Sequence, residues 1–125
     1  MRKIISLLAF SLLTAQSAFA VDCSNEYIVI REYEGVKNAG EISKKVQAGF
    51  VPIVKKIPGF IDYFVVDEGQ EKMLVVNIFK DQKGADESTA KAIEWAKANL
   101  NVSLGKPVVR SGPVTAKAKN CSWNN

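Results

Sequence analysis

The chain has 125 residues, with 17 Lys and Arg against 13 Asp and Glu, and no histidine. That length supports one domain with its own core rather than several. The weak positive balance contains no Lys/Arg cluster, which argues against nucleic acid as a partner. Without histidine there is no imidazole for general acid–base work, and the usual zinc and non-haem iron ligand sets are missing.

The first twenty residues read as a secretion signal. Arg2 and Lys3 open it, Ile4–Leu13 forms an apolar core, and Ala18-Phe19-Ala20 is a small-x-small cleavage site. The apolar run is about half of the ~20 residues needed to span a bilayer, and Asp22 before Cys23 disfavours a lipid anchor. The expectation is cleavage after Ala20 and release into the periplasm or the extracellular space, with no stable membrane anchor. Residues 21–125 then form a single domain with 15 basic and 13 acidic side chains. Cys23 and Cys121 lie at its two ends, 98 positions apart. An isolated pair in an oxidising compartment is expected to be a disulfide, and it lacks the C-x-x-C spacing of a redox-active pair.

The first strand is read at about Glu26–Glu34 and ends in the connection Gly35–Lys37. A helix follows, with Asn38 as N-cap and Glu41 three residues later completing a capping-box-like pair. Ile42, Val46, Phe50, Ile53/Val54 and Ile57 recur at helical spacing and mark one buried stripe. Pro52 interrupts that pattern, so a kink or an early end near Phe50 is expected. Pro58-Gly59 closes the segment.

Strands Phe60–Val66 and Met73–Phe79 follow, joined as a hairpin with its turn at Glu68-Gly69. After the polar connection Lys80–Gly84, a second helix is read from Ala85 to Leu100. Its stripe of Ala85, Thr89, Ala92, Ile93, Ala96 and Leu100 is mostly small, with Trp95 on the flank. The last strand, about Pro107–Thr115, contains Pro107 and Pro113, which place it at a sheet edge. The order β-α-β-β-α-β is the ferredoxin-like pattern of the α+β class. There the fourth strand lies antiparallel beside the first, which brings Cys23 and Cys121 to the same edge.

Three of the strands are apolar on both sides. One set is Ile28/Ile30, Ile61/Tyr63/Val65 and Leu74/Val76/Ile78. The other is aromatic-rich and holds one polar residue per strand: Arg31, Asp62 and Asn77. A sheet covered on one face alone should show a clean polar side. This one is expected to be covered twice, by its own helices and by a second copy of the chain.

A two-residue turn at Glu68-Gly69 would set Asp62 opposite Val75. Phe60, Asp62 and Phe64 would then share a face with Asn77, Val75 and Met73. With Tyr27, Arg31, Tyr33 and Phe79 on that side, and Trp95 and Tyr63 as walls, the composition is that of a small-ligand pocket. Arg31, Asp62 and Asn77 are the candidate catalytic residues. Arg31 could stabilise a phenolate or superoxide-like anion, Asn77 could hydrogen-bond a carbonyl or hydroxyl, and Asp62 could orient Arg31 or accept a proton. The structural alternative is an Arg31–Asp62 ion pair at the sheet periphery, with Asn77 bridging backbone groups at a dimer seam.

The runs GFVPIVKKIPGFIDYFVVDEG (Gly49–Gly69), IFKDQKGADES (Ile78–Ser88), AIEWAKANL (Ala92–Leu100) and SGPV (Ser111–Val114) together resemble the antibiotic-biosynthesis-monooxygenase-like (ABM-like) domains of the dimeric α/β-barrel superfamily. The resemblance implies two four-stranded sheets paired into a barrel, with helices outside. It also implies either a cofactor-independent oxygenase of polycyclic phenols and quinols or a non-catalytic, dimeric binding or stress-associated protein. The haem-degrading branch needs a histidine ligand, which this chain lacks. The expectation is a homodimer that binds a small aromatic or quinone-like molecule without a cofactor.

Overall fold

The computed structural model describes residues 25–101 and 104–118; the signal segment, Cys23 and Cys121 lie outside them. The elements are β1 (Tyr27–Glu34), α1 (Ala39–Lys45), a π-helical turn (Val46–Phe50), α2 (Val51–Val54), β2 (Phe60–Gly69), β3 (Lys72–Phe79), α3 (Gln82–Asn99) and β4 (Val108–Pro113). The strands form one sheet in the order β2-β3-β1-β4, antiparallel throughout. This is the α+β, ferredoxin-like arrangement that the element order predicts. β4 pairs only with β1, and Pro113 stands opposite Tyr27 at the edge, where a residue without an N–H costs no ladder bond.

The first helical segment departs from the reading at its start. Asn38 makes no side-chain cap, and Glu41 pairs instead with Lys45 one turn on, at 3.2 Å. At Pro52 the expected interruption takes the form of a distorted turn, not an end at Phe50. The helix widens before Pro52, so that the Val51 N–H reaches the Val46 carbonyl five residues back, and then resumes. A wider turn ahead of the ring accommodates a residue that cannot donate and that crowds the preceding turn. Val46, Phe50 and Val54 all remain buried.

The second helix starts three residues earlier than expected because Asp81 caps it, accepting from the Gly84 N–H at 3.0 Å. Gly84 is held against Phe79; a Cβ there would stand 2.6 Å from Phe79 Cδ1.

The hairpin register also differs from the expectation. The turn residues are Gln70 and Glu71, with φ of 51° and 59°, after Gly69 at 73°. β2 carries two irregularities, between Phe60 and Asp62 and between Asp67 and Gly69. The turn and the second irregularity set Val65, not Asp62, opposite Val75, and Tyr63 opposite Asn77; the first acts only on Phe60, which it sets opposite Phe79. A shift of three residues is odd, and an odd shift turns every side chain to the other face.

The helices cover the face that holds Val29, Arg31 and Tyr33 on β1 and Met73, Val75, Asn77 and Phe79 on β3, all buried. The intervening Ile28, Ile30, Leu74, Val76 and Ile78 lie on the other face and are only partly buried in the single chain. There they are joined by Phe64, 50 % exposed, and Val66. One of the two expected coverings is therefore present in the chain itself.

Candidate functional site

Four polar residues meet under α3. Arg31 is 1 % exposed and Asn77 and Ser88 are fully buried. Arg31 NH1 donates to Thr89 Oγ1 at 3.1 Å. With the Asn77 amide turned so that its oxygen faces the guanidinium, Oδ1 accepts from Arg31 NH2 at 3.0 Å and NH1 at 3.2 Å, and Nδ2 donates to the Val76 carbonyl at 3.2 Å. The opposite orientation would aim N–H groups at N–H groups, so hydrogen bonding fixes this one. Ser88 Oγ lies 3.1 Å from the Asn77 oxygen and 2.7 Å from the Ala85 carbonyl, and its one proton is shared between them.

These partners are neutral. Among the described residues no carboxylate pairs with Arg31, and its Nε has no partner at all. A buried charge without a counterion is costly, and hydrogen bonds from neutral groups offset only part of that cost.

An aromatic wall stands beside the guanidinium. Burial pushes the Tyr63 hydroxyl up to about 12, while the neighbouring Arg31 pulls in the other direction. Phe50 lies 5.8 Å from Tyr63 and 5.7 Å from Trp95 between ring centroids. Trp95 reaches this position because residue 49 is glycine: a Cβ at Gly49 would stand 2.7 Å from Trp95 Cζ2.

Arg31, Tyr33, Tyr63 and Trp95 line a cavity of about 30 Å³ between sheet and helices, room for roughly one water. A cleft of about 580 Å³ adjoins it through Tyr33, Ala96, Leu100 and Leu104, which line both.

Of the residues selected from the sequence, Arg31, Asn77, Tyr33, Tyr63 and Trp95 are thus brought together. Asp62 is not. It pairs with Ile78 on the open face, so neither the orienting role beside Arg31 nor the Arg31–Asp62 ion pair forms. Phe64 goes with it to the open face. Phe79 is buried away from the cavity, packed edge-on against Phe60 at 6.0 Å, with Tyr27 opposite it on β1. Asn77 contacts Arg31 and α3 rather than a dimer seam.

Ser88 was missed. Its position four residues after Gly84 placed it on the buried line of α3, but a serine there reads as solvent-facing until the helix start is known. Among the described residues no group of three His, Cys, Asp or Glu side chains could hold a metal ion, and no helix is long and apolar enough to cross a membrane.

No protein-family model and no curated protein sequence matches the chain. Solved structures do. SnoaB, a cofactor-independent oxygenase from Streptomyces nogalater, is similar at a TM-score of 0.53 and 17 % identity, over 77 % of this chain and 97 % of that one. A candidate antibiotic biosynthesis monooxygenase from Nitrosomonas europaea is similar at 0.53 and 13 %, over 71 % and 88 %. NE2512, a protein of unknown function from the same organism, is similar at 0.56 and 15 %, over 76 % and 94 %. At such identities the likeness concerns the backbone, and on that ground the chain has the ABM-like fold.

Proposed function

We propose that the protein binds a small aromatic or quinone-like molecule whose acidic oxygen faces Arg31, as an exported homodimer closed by a Cys23–Cys121 disulfide. The observation that carries the binding site is the unpartnered Nε of a guanidinium buried to 1 % exposure, with no carboxylate paired to it among the described residues. An anionic oxygen would supply the missing counterion, and in a dry site that attraction is worth far more than in water. Asn77 and Thr89 hold the guanidinium in place by hydrogen bonds, and Ser88 steadies Asn77; the rings of Tyr63, Phe50 and Trp95 offer an apolar flank.

The same arrangement favours cofactor-independent monooxygenation, a reading supported by the fold shared with SnoaB. A polycyclic phenol with an adjacent CH₂ group is held as its anion, which gives one electron to O₂. The two radicals join at the former CH₂ carbon as a peroxide anion, which takes up the proton that the phenol had released to solvent and becomes a hydroperoxide. Loss of water then leaves a quinone carbonyl, with one oxygen atom in the product and one in water. Arg31 would hold the anion, and the apolar wall would exclude solvent. The rival, a non-catalytic binding protein, is favoured by the inner cavity, which holds only a water-sized group.

The dimer reading rests on Ile28, Ile30, Leu74, Val76, Ile78 and Phe64, an apolar face left open in a single chain. The disulfide reading rests on the edge where Tyr27 meets Pro113 and the Val114 N–H donates to the Glu26 carbonyl at 2.9 Å.

The test is the ionisation of bound 2-naphthol, followed by its absorption. Beside the guanidinium it should lose its proton at a lower pH than when free. Arg31→Met should abolish that shift, and Asn77→Asp, which places a carboxylate beside Arg31 without emptying the site, should do the same in a folded protein. An unshifted titration in the wild type would sink the anion site. O₂ uptake with polycyclic phenols then separates the oxygenase from the binding protein.

A further inference from the structure

The cleft between α3 and the segment leading into β4 has a charge pattern that the inner site does not explain. Tyr33, Ile93, Ala96, Leu100, Leu104 and Pro107 give it apolar walls, and its charged lining residues are both lysines, Lys97 and Lys106. Both are exposed, and neither joins an ion pair among the described residues. Among the described residues no carboxylate lines the cleft. The rest of the surface has a nearly even balance of signs, so two unopposed cations beside an apolar wall are a local feature.

We infer that this cleft is the outer half of the ligand site and selects planar aromatic acids, with Lys97 and Lys106 recognising a carboxylate remote from the oxygen that faces Arg31. The inference rests on the proposed anion site and adds the substrate class to it. Volumes set the arrangement. The inner cavity of about 30 Å³ admits a single oxygen-sized group, whereas the outer cleft of about 580 Å³ has room for fused rings. Four residues line both spaces, so the two lie side by side across Tyr33, Ala96, Leu100 and Leu104. The rings would lie against Leu100, Leu104 and Tyr33, their hydroxyl pointing inward and their acid group outward. Solvent-exposed ammonium groups attract a carboxylate modestly each, so the pair supplies selectivity while the buried site and the apolar walls supply affinity.

Calorimetric titration of the exported chain with 2-naphthol and with 6-hydroxy-2-naphthoate tests this. The acid should bind about tenfold more tightly, and the preference should shrink as salt is added. In Lys97→Gln/Lys106→Gln the ratio of the two affinities should fall to about one. Equal affinities in the wild type would overturn the inference while leaving the anion site standing. So would a preference that survives in the double variant, or a double variant whose main change is its assembly state. Failure of both compounds to bind would remove the anion site and this inference together.

Discussion

Arg31 and Asn77 are diagonal neighbours on adjacent strands: Arg31 faces Val75, Asn77 faces Val29, and the Asn77 oxygen lies 3.0 Å from Arg31 NH2. The pair ties β1 to β3 beneath α3, and through Ser88 and Thr89 it ties both to the helix. Replacing Asn77 by Leu removes the strongest acceptor of a buried cation, and stability should fall by about 2–4 kcal/mol in denaturant unfolding. Asn77→Asp should retain most of that stability, because a carboxylate there neutralises the guanidinium, but it should abolish binding of phenolic anions. A binding-competent Asp variant would show that the guanidinium is not the anion site.

Tyr63 gives the protein an alkaline limit. Its hydroxyl titrates near 12 in the folded chain against 10.0 ordinarily. Between these values the unfolded chain releases a proton that the folded chain retains, so stability falls as pH rises through that window. The contribution, present in full below pH 10, is about 2–3 kcal/mol when integrated over the shift. Unfolding curves of wild type and Tyr63→Phe should therefore converge or cross between pH 10 and 12. Parallel curves would contradict the burial argument.

Gly49 sets the position of Trp95. In an exposed helix, Gly→Ala gains about 0.5–1 kcal/mol. Here the new methyl would meet the indole at 2.7 Å, and overpacking of this kind costs about 1–3 kcal/mol. Gly49→Ala should lower the melting temperature and shift the Trp95 emission. Combining it with Trp95→Leu should recover much of the loss; additive effects would mean the two residues do not press on each other.

Phe64 probes the open sheet face. Because it is half exposed in the single chain, Phe64→Glu should leave the circular dichroism spectrum unchanged. If two copies pair through this face, a buried glutamate on each side weakens the dimer by about 2 kcal/mol or more. Sedimentation should then show a shift toward monomer at micromolar concentration. A wild type that sediments as a monomer at every concentration would end the dimer reading.

The cysteines offer the simplest measurement. The exported product should begin at Val21, and intact mass with and without reductant should differ by the two hydrogens of one bridge. Loss of the bridge in Cys23→Ser should lower stability by up to about 4–5 kcal/mol, since the loop it closes is long. Two free thiols in the native product would exclude the link.

Much of this molecule was legible before any coordinates. The order of elements, the edge position of β4 and the placing of Arg31 and Asn77 on the aromatic-rich face of their strands all follow from local chemistry. Alternating apolar residues require a pleated strand with two faces, prolines at 107 and 113 exclude a central strand, and a repeated 3–4 spacing requires a helix. Those rules act over a few residues and need no knowledge of neighbours.

Which face each β2 residue occupies was not local. It depended on the extra residues that β2 absorbs near Ile61 and Glu68 and on a turn at Gln70-Glu71 rather than Glu68-Gly69. A bulge costs little and leaves a faint trace in sequence, yet each one reverses the parity of everything beyond it. For that reason Tyr63 stands beside Arg31 while Asp62 does not. The sequence alone determined that a cation and an amide would share the aromatic-rich face of neighbouring strands; only the tertiary structure decided that helices would bury them there without a carboxylate, because parity along a strand is a cumulative property of the whole hairpin.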